Sequence, residues 1–144
     1  MSNDPCQSPL PRDGKKRLYD LAERTATFGE EIVQFAKGVP RNVVTVPLIR
    51  QLVRAGTSIG ANNREADEAV SRKDFRNRVG ICRKEANETE YWLRLIAAAE
   101  PGLREDCRRL WQEAHELHLI FAKSFRTATE DSAAREGPPP PTSS

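Results

Sequence analysis

Along most of this chain, side chains suited to a buried seam recur at alternating steps of three and four. One run is Leu48, Leu52, Ala55, Ile59, Asn62, Ala66 and Ala69; after a break at Ser71 come Phe75, Val79, Cys82, Ala86, Thr89, Leu93 and Ile96. A third, Leu103, Cys107, Leu110, Ala114, Leu117, Phe121, Ser124 and Ala128, repeats the spacing, and a shorter set, Leu21, Thr25, Phe28, Ile32 and Phe35, precedes them all. A stripe at 3.5-residue spacing keeps meeting a neighbouring helix along its length, so the pattern predicts long helices packed side by side at a shallow angle. No alternation of strand type competes. Short connections between the helical segments predict an all-α, antiparallel, up-down-up-down four-helix bundle over residues 18–128.

Local signals set the expected boundaries. Asp20 followed by Glu23 reads as a capped start for the first helix, and Gly38 before Pro40 as its end. Thr45 is the expected cap of the second helix, with Pro47 in its first turn and an end near Val70. Ser71, with Asp74 three residues on, caps a third helix that runs to about Ala99, before Pro101-Gly102 turns the chain. Residues 1–17, with Pro5, Pro9, Pro11 and Gly14, and residues 129–144, ending in a proline run, are expected to be disordered.

Inside the second helix Gly56 and Gly60 each cost about 1 kcal/mol relative to alanine in an isolated helix. The compensation expected is close approach: a smooth strip on which another helix or another subunit packs. Asn62 falls on the seam, where an amide needs a partner and fixes register.

Composition agrees with a single amphipathic helical domain: 144 residues, 38% hydrophobic and 31% charged. No apolar run approaches the roughly 20 residues needed to cross a bilayer, and the start lacks the apolar core of a secretory signal, so cytoplasm is the expected compartment. Cys82 and Cys107 fall on seams and read as packing; no two of the three cysteines have metal-ligand spacing.

Phosphate-binding glycine loops, zinc-protease helices and Cys-x-x-Cys pairs are absent, and Ser58 has no visible base beside it. His115 and His118 lie three apart with no third ligand in view, so partly exposed packing is preferred to a metal site. The expectation is therefore no enzyme, no catalytic residues, no metal and no cofactor.

Charge carries the one functional signal. From Arg41 to Lys84 there are ten basic residues against four acidic ones. Arg50, Arg54 and Arg64 share a face of the second helix, and Arg72, Lys73, Arg76 and Arg83 crowd one side of the third, a stripe suited to phosphates of RNA or DNA. The plainer alternative is an ordinary solvated surface. No aromatic platform interleaves with that face, and Tyr91 and Trp92, beside the seam residue Leu93, read as core or subunit-interface anchors.

Several of these stretches go together. Asp20 through Thr25, the run from Arg54 to Ala66 (Arg-Ala-Gly-Thr-Ser-Ile-Gly-Ala-Asn-Asn-Arg-Glu-Ala), Lys73-Asp74-Phe75, and Lys84 through Leu95 closely resemble the intervening-sequence proteins, four-helix bundles encoded within insertions in bacterial large-subunit ribosomal RNA genes and elsewhere in genomes. Asn63 stands where that family commonly has an aromatic. The resemblance implies a ring, commonly a homopentamer, without enzymatic activity; its central motif maps onto Gly56 to Ala66, so Gly56, Gly60 and Asn62 are expected to serve packing and assembly, beside the anchors Tyr91 and Trp92. A more distant branch, the accessory proteins of diversity-generating retroelements, implies nucleic acid and a reverse transcriptase as partners. Two readings thus stand side by side: a nucleic-acid-binding accessory protein, and a protein-interaction scaffold.

Overall fold

The computed structural model describes residues 14–136, with side chains from Asp20 to Arg135. The described residues form four helices, α1 Gly14–Gly38, α2 Thr45–Asp67, α3 Arg72–Ala99 and α4 Arg104–Glu136, with one 3-10 turn, Pro101–Leu103, between the last two. Among the described residues there is no strand, and no helix is long and apolar enough to cross a membrane.

Consecutive helices pack on one another, and paired contacts run in opposite order along each pair. Gly56 of α2 lies against Ile32 of α1 and Gly60 against Thr25. Arg54 reaches Glu85 of α3, whereas Arg78 reaches back to Asn62. Gly80 abuts Phe125 of α4, and Glu90 meets His115 and His118. The seams close over one core in which Phe28, Ile32, Leu52, Ile59, Leu93, Ile96, Leu110, Leu117 and Phe121 are fully buried. The four-helix expectation holds.

Ser71 caps α3 as its sequence predicts: its backbone is extended and its Oγ accepts the Asp74 N–H at 3.0 Å. Other boundaries differ. Helix α1 begins at Gly14, so Asp20 lies inside it rather than capping it; Lys15, Lys16, Arg17 and Leu18 are good helix formers that carry the helix upstream. Helix α4 continues past Ala128 to Glu136, through residues whose polarity reads as a tail. The remaining parts of the two expected disordered segments, residues 1–13 and 137–144, lie outside the described residues.

At the start of α2 the cap position is Val44, not Thr45. Asn42 supplies the capping oxygen: its Oδ1 accepts the N–H groups of Val44 at 2.9 Å and Thr45 at 3.0 Å. Thr45 is buried and ties the corner from inside, its hydroxyl donating to the Pro40 carbonyl at 2.6 Å and accepting the Asn42 N–H at 2.9 Å. Helix α2 ends at Asp67 rather than Val70, because the extended Ser71 needs the chain to leave the helix first.

The seam residue is also shifted by one. Asn63, 4% exposed, enters the core, while Asn62 is half-buried, donates from Nδ2 to the Ser58 carbonyl at 2.9 Å and accepts from Arg78 at 3.3 Å. A straight helix falls about 20° behind a heptad repeat with each heptad, which moves Asn63 inward by this point along α2. Among the described residues Asn63 Nδ2 has no hydrogen-bond partner.

Candidate nucleic-acid interface

The seven predicted cations do not form one patch. Arg50 is exposed on the outer face of α2, and Arg54 and Arg64 lean to opposite sides of it, towards α3 and towards the α1 groove beside Gly60. Arg72, Arg76 and Arg83 fall on a single face of α3 by their spacing of four and seven, and that face borders α4: the Arg83 guanidinium sits 5.0 Å above the Phe125 ring. Lys73 is exposed in the first turn of α3.

Their electrostatic situations differ as well. Arg54 is committed within the protein. It donates to the buried Glu85 carboxylate at 2.9 Å, to Glu88, and to Gln51 at 3.0 Å, and Glu88 also accepts the Trp92 indole N–H at 3.1 Å. Burial alone lowers the Arg54 pKa, but the two carboxylates more than offset it and hold the guanidinium above its ordinary value. Arg50, Arg64, Arg72, Lys73, Arg76 and Arg83 pair with no carboxylate among the described residues.

The α3 line does not stop at Arg83. The same face carries Asn87, Glu90 and Arg94, and there it meets side chains far away along the chain. Tyr91, 53% exposed, and Trp111 of α4, 36% exposed, border a shallow cleft with Lys84, Asn87 and Arg94. Aromatic surface therefore adjoins Lys84 and Arg94, farther along α3 than the seven predicted cations, together with Glu88 and Glu90, and α4 contributes Trp111 to it from about twenty residues away in sequence. Trp92, the neighbour of Tyr91, is half-buried and meets it edge-on at 5.1 Å, as an anchor of the α3 surface.

The histidines also acquire a partner. Glu90 places Oε1 3.3 Å from His115 Nδ1 and Oε2 3.0 Å from His118 Nδ1, and Trp111 stacks on the His115 ring at 4.8 Å. Cys82 and Cys107 are buried thiols, Cys82 pushed up to about 12 and Cys107 to about 11, chiefly by desolvation; this is packing chemistry, not nucleophile chemistry. Gly56, Gly60 and Asn62 are taken up in contacts within one chain.

The architecture defines a class, charged all-α four-helix bundles with a basic helix face. Residues 18–123 match the model of the 23S rRNA-intervening sequence protein family, and the chain belongs to that family. A crystal structure of a protein of unknown function from the S23 ribosomal protein family of Bacteroides thetaiotaomicron is similar to it, with a TM-score of 0.69 and 34% identity over 76% of this chain and 98% of that one. No curated protein matches the chain.

Proposed function

We propose that this bundle is a non-enzymatic, cytoplasmic nucleic-acid-binding protein that holds RNA or DNA along α3 and its border with α4. The observation that carries the reading is the line Arg72, Arg76, Arg83 and Arg94, none of them paired with a carboxylate among the described residues, ending beside Tyr91 and Trp111. Unpaired guanidinium groups contact phosphates without first breaking an internal ion pair, and an exposed ring beside them offers a face on which an unpaired base stacks. Arg50, Arg64 and Lys73 add positive potential around that line, and Arg54 holds α2 to α3.

Anisotropy of labelled single-stranded and duplex RNA and DNA, titrated at about 50 and 200 mM salt, tests this. Binding is expected at low salt and falls steeply as salt rises. Combined Arg72→Glu, Arg76→Glu and Arg83→Glu substitutions should weaken it at least ~100-fold and flatten the salt slope by about 0.9 for each duplex phosphate that is no longer neutralised. An absence of binding to every member of the panel at low salt ends the reading.

A second reading, assembly and protein scaffolding, is supported by a different observation. Tyr91, Leu119 and Ile81 are large apolar side chains left exposed on α3 and α4. The resemblance to the intervening-sequence proteins supports a homo-oligomer, with five copies as the number to test, and the more distant retroelement branch makes a reverse transcriptase the protein partner to try first. Sedimentation equilibrium of the purified chain distinguishes a monomer from a ring.

A further inference from the structure

We infer that Glu90, His115 and His118 form a binding site for a divalent zinc ion that clamps α3 to α4, an assignment independent of nucleic-acid binding. Each residue offers one ligand atom, and these atoms lie within 4.8 Å of one another. Helical spacing makes the set: His115 and His118, three apart, share the face of α4 turned to α3, and Glu90 projects from α3 between them. Two neutral imidazoles and one carboxylate are a donor set that zinc accepts with a fourth position open.

Charge gives the independent reason. Glu90 is only 12% exposed at its side chain, yet among the described residues no lysine or arginine pairs with it. The other sheltered carboxylates are answered differently: Glu85 and Glu88 by Arg54, and Glu113 by Arg24. Both Glu90 oxygens instead face imidazole nitrogens, and imidazole, unlike guanidinium, is not a permanent cation. Among the described residues this sheltered carboxylate has no permanent cation beside it, and a divalent ion held by the same three side chains would supply one.

The distances suit an ion. Two ligand atoms on tetrahedral zinc stand about 3.3 Å apart, given bond lengths of ~2.0–2.2 Å; Glu90 meets His115 through Oε1 at 3.3 Å and His118 through Oε2 at 3.0 Å, so either oxygen has one imidazole already at ligand spacing. With the ligand atoms within 4.8 Å of one another, side-chain rotation is what draws the set onto one centre. His115 is 41% exposed and His118 26%, so an ion can reach the site from solvent. Trp111, stacked on His115, restrains that ring against turning away.

The test uses the full chain without a histidine tag, stripped with a chelator and titrated with zinc chloride by calorimetry. One ion per chain is expected, displacing cobalt that gives the visible absorption of four-coordinate Co2+. On zinc addition the ring Nδ1 resonances of both histidines should shift in long-range 1H–15N spectra of the unmodified protein, which reads the ligands without any substitution. Glu90→Gln, which keeps the shape and a hydrogen bond, and His118→Ala should each lower affinity by more than the roughly 10–100-fold typical of changes to residues that only support a ligand. Glu130→Gln, on exposed α4 surface, should leave it unchanged. Absence of stoichiometric binding, histidine resonances that stay in place, or affinity that survives Glu90→Gln together with His118→Ala overturns the assignment.

Discussion

Helix α1 meets α2 and α4 through contacts of opposite character. Against α2 the backbones come close because side chains are missing: a Cβ on Gly56 would stand 2.9 Å from Ile32 Cγ1, and one on Gly60 3.3 Å from the Thr25 carbonyl oxygen. Against α4 helix α1 meets far less backbone than against α2, and long side chains span the gap. Arg24 forms a two-pronged pair with Glu113 at 2.8 and 2.7 Å and reaches Glu116 at 2.9 Å, while Arg109 reaches Glu31 at 2.8 Å. One contact is close backbone packing and depends on shape. The other is half-exposed and depends on charge, so the two should fail under different perturbations.

Shape is the more brittle of the two. Gly56→Leu should cost about 3 kcal/mol, since the atoms in its way, Ile32 Cγ1, Cγ2 and Cβ, lie near the backbone and cannot swing aside. Denaturant unfolding followed by circular dichroism reads this directly. A double-mutant cycle sharpens it: Ile32→Ala alone should cost about 2–5 kcal/mol by opening a cavity in the core, and Gly56→Ala added to it should recover part of that loss. Additive losses would show that the glycine is not there to admit Ile32.

The same contrast separates what is legible in the sequence from what is not. A glycine within a helix needs a reason, so a close contact on Gly56 and Gly60 is readable from the sequence, though not that α1 rather than another subunit makes it, and the Ser71 cap is readable from its acid three residues on. Arginine and glutamate are ordinary on any helix surface, so nothing local marks Arg24 as the partner of Glu113. Sequence distance hides Glu90 from the histidines for the same reason, and hides Trp111 from the α3 cations. Asn63 takes the core position that heptad spacing assigns to Asn62, because a straight helix drifts from a supercoiled one. Cations are visible as a count, but which of them remain available depends on Glu85 and Glu88 claiming Arg54.

A second perturbation singles out the buried contacts. Cys82, fully buried between α2 and α3, donates its thiol to the Ile59 carbonyl at 3.5 Å, and burial pushes its pKa from 9.0 up to about 12. The folded state therefore holds the proton more tightly than the unfolded chain. Stability from this source is complete below pH 9.0 and is lost progressively as pH rises from there towards 12. Unfolding free energy measured from about pH 8 to 11, in ~1-unit steps, should decline more steeply for the native chain than for Cys82→Val, which has nothing to ionise there. Parallel slopes would place the alkaline loss elsewhere.

The charged contact should respond least, and to salt rather than to shape. Arg24 is half-buried, and its hydrogen bond with Glu113 outweighs the effect of desolvation, so the guanidinium is held above its ordinary pKa and stays charged at any working pH. Arg24→Met keeps most of the apolar stem and removes the pairs to Glu113 and Glu116, for an expected loss of about 1 kcal/mol at low ionic strength. Because about a third of the arginine side chain remains exposed, ~1 M salt, with a Debye length of ~3 Å, should shrink the difference between native chain and variant to a few tenths of a kcal/mol. The Gly56→Leu defect should be unchanged by the same salt. A loss at Arg24 that persists undiminished in high salt would mean that α1 and α4 are joined by the packing of its stem, and that the two sides of α1 differ less than their side chains suggest.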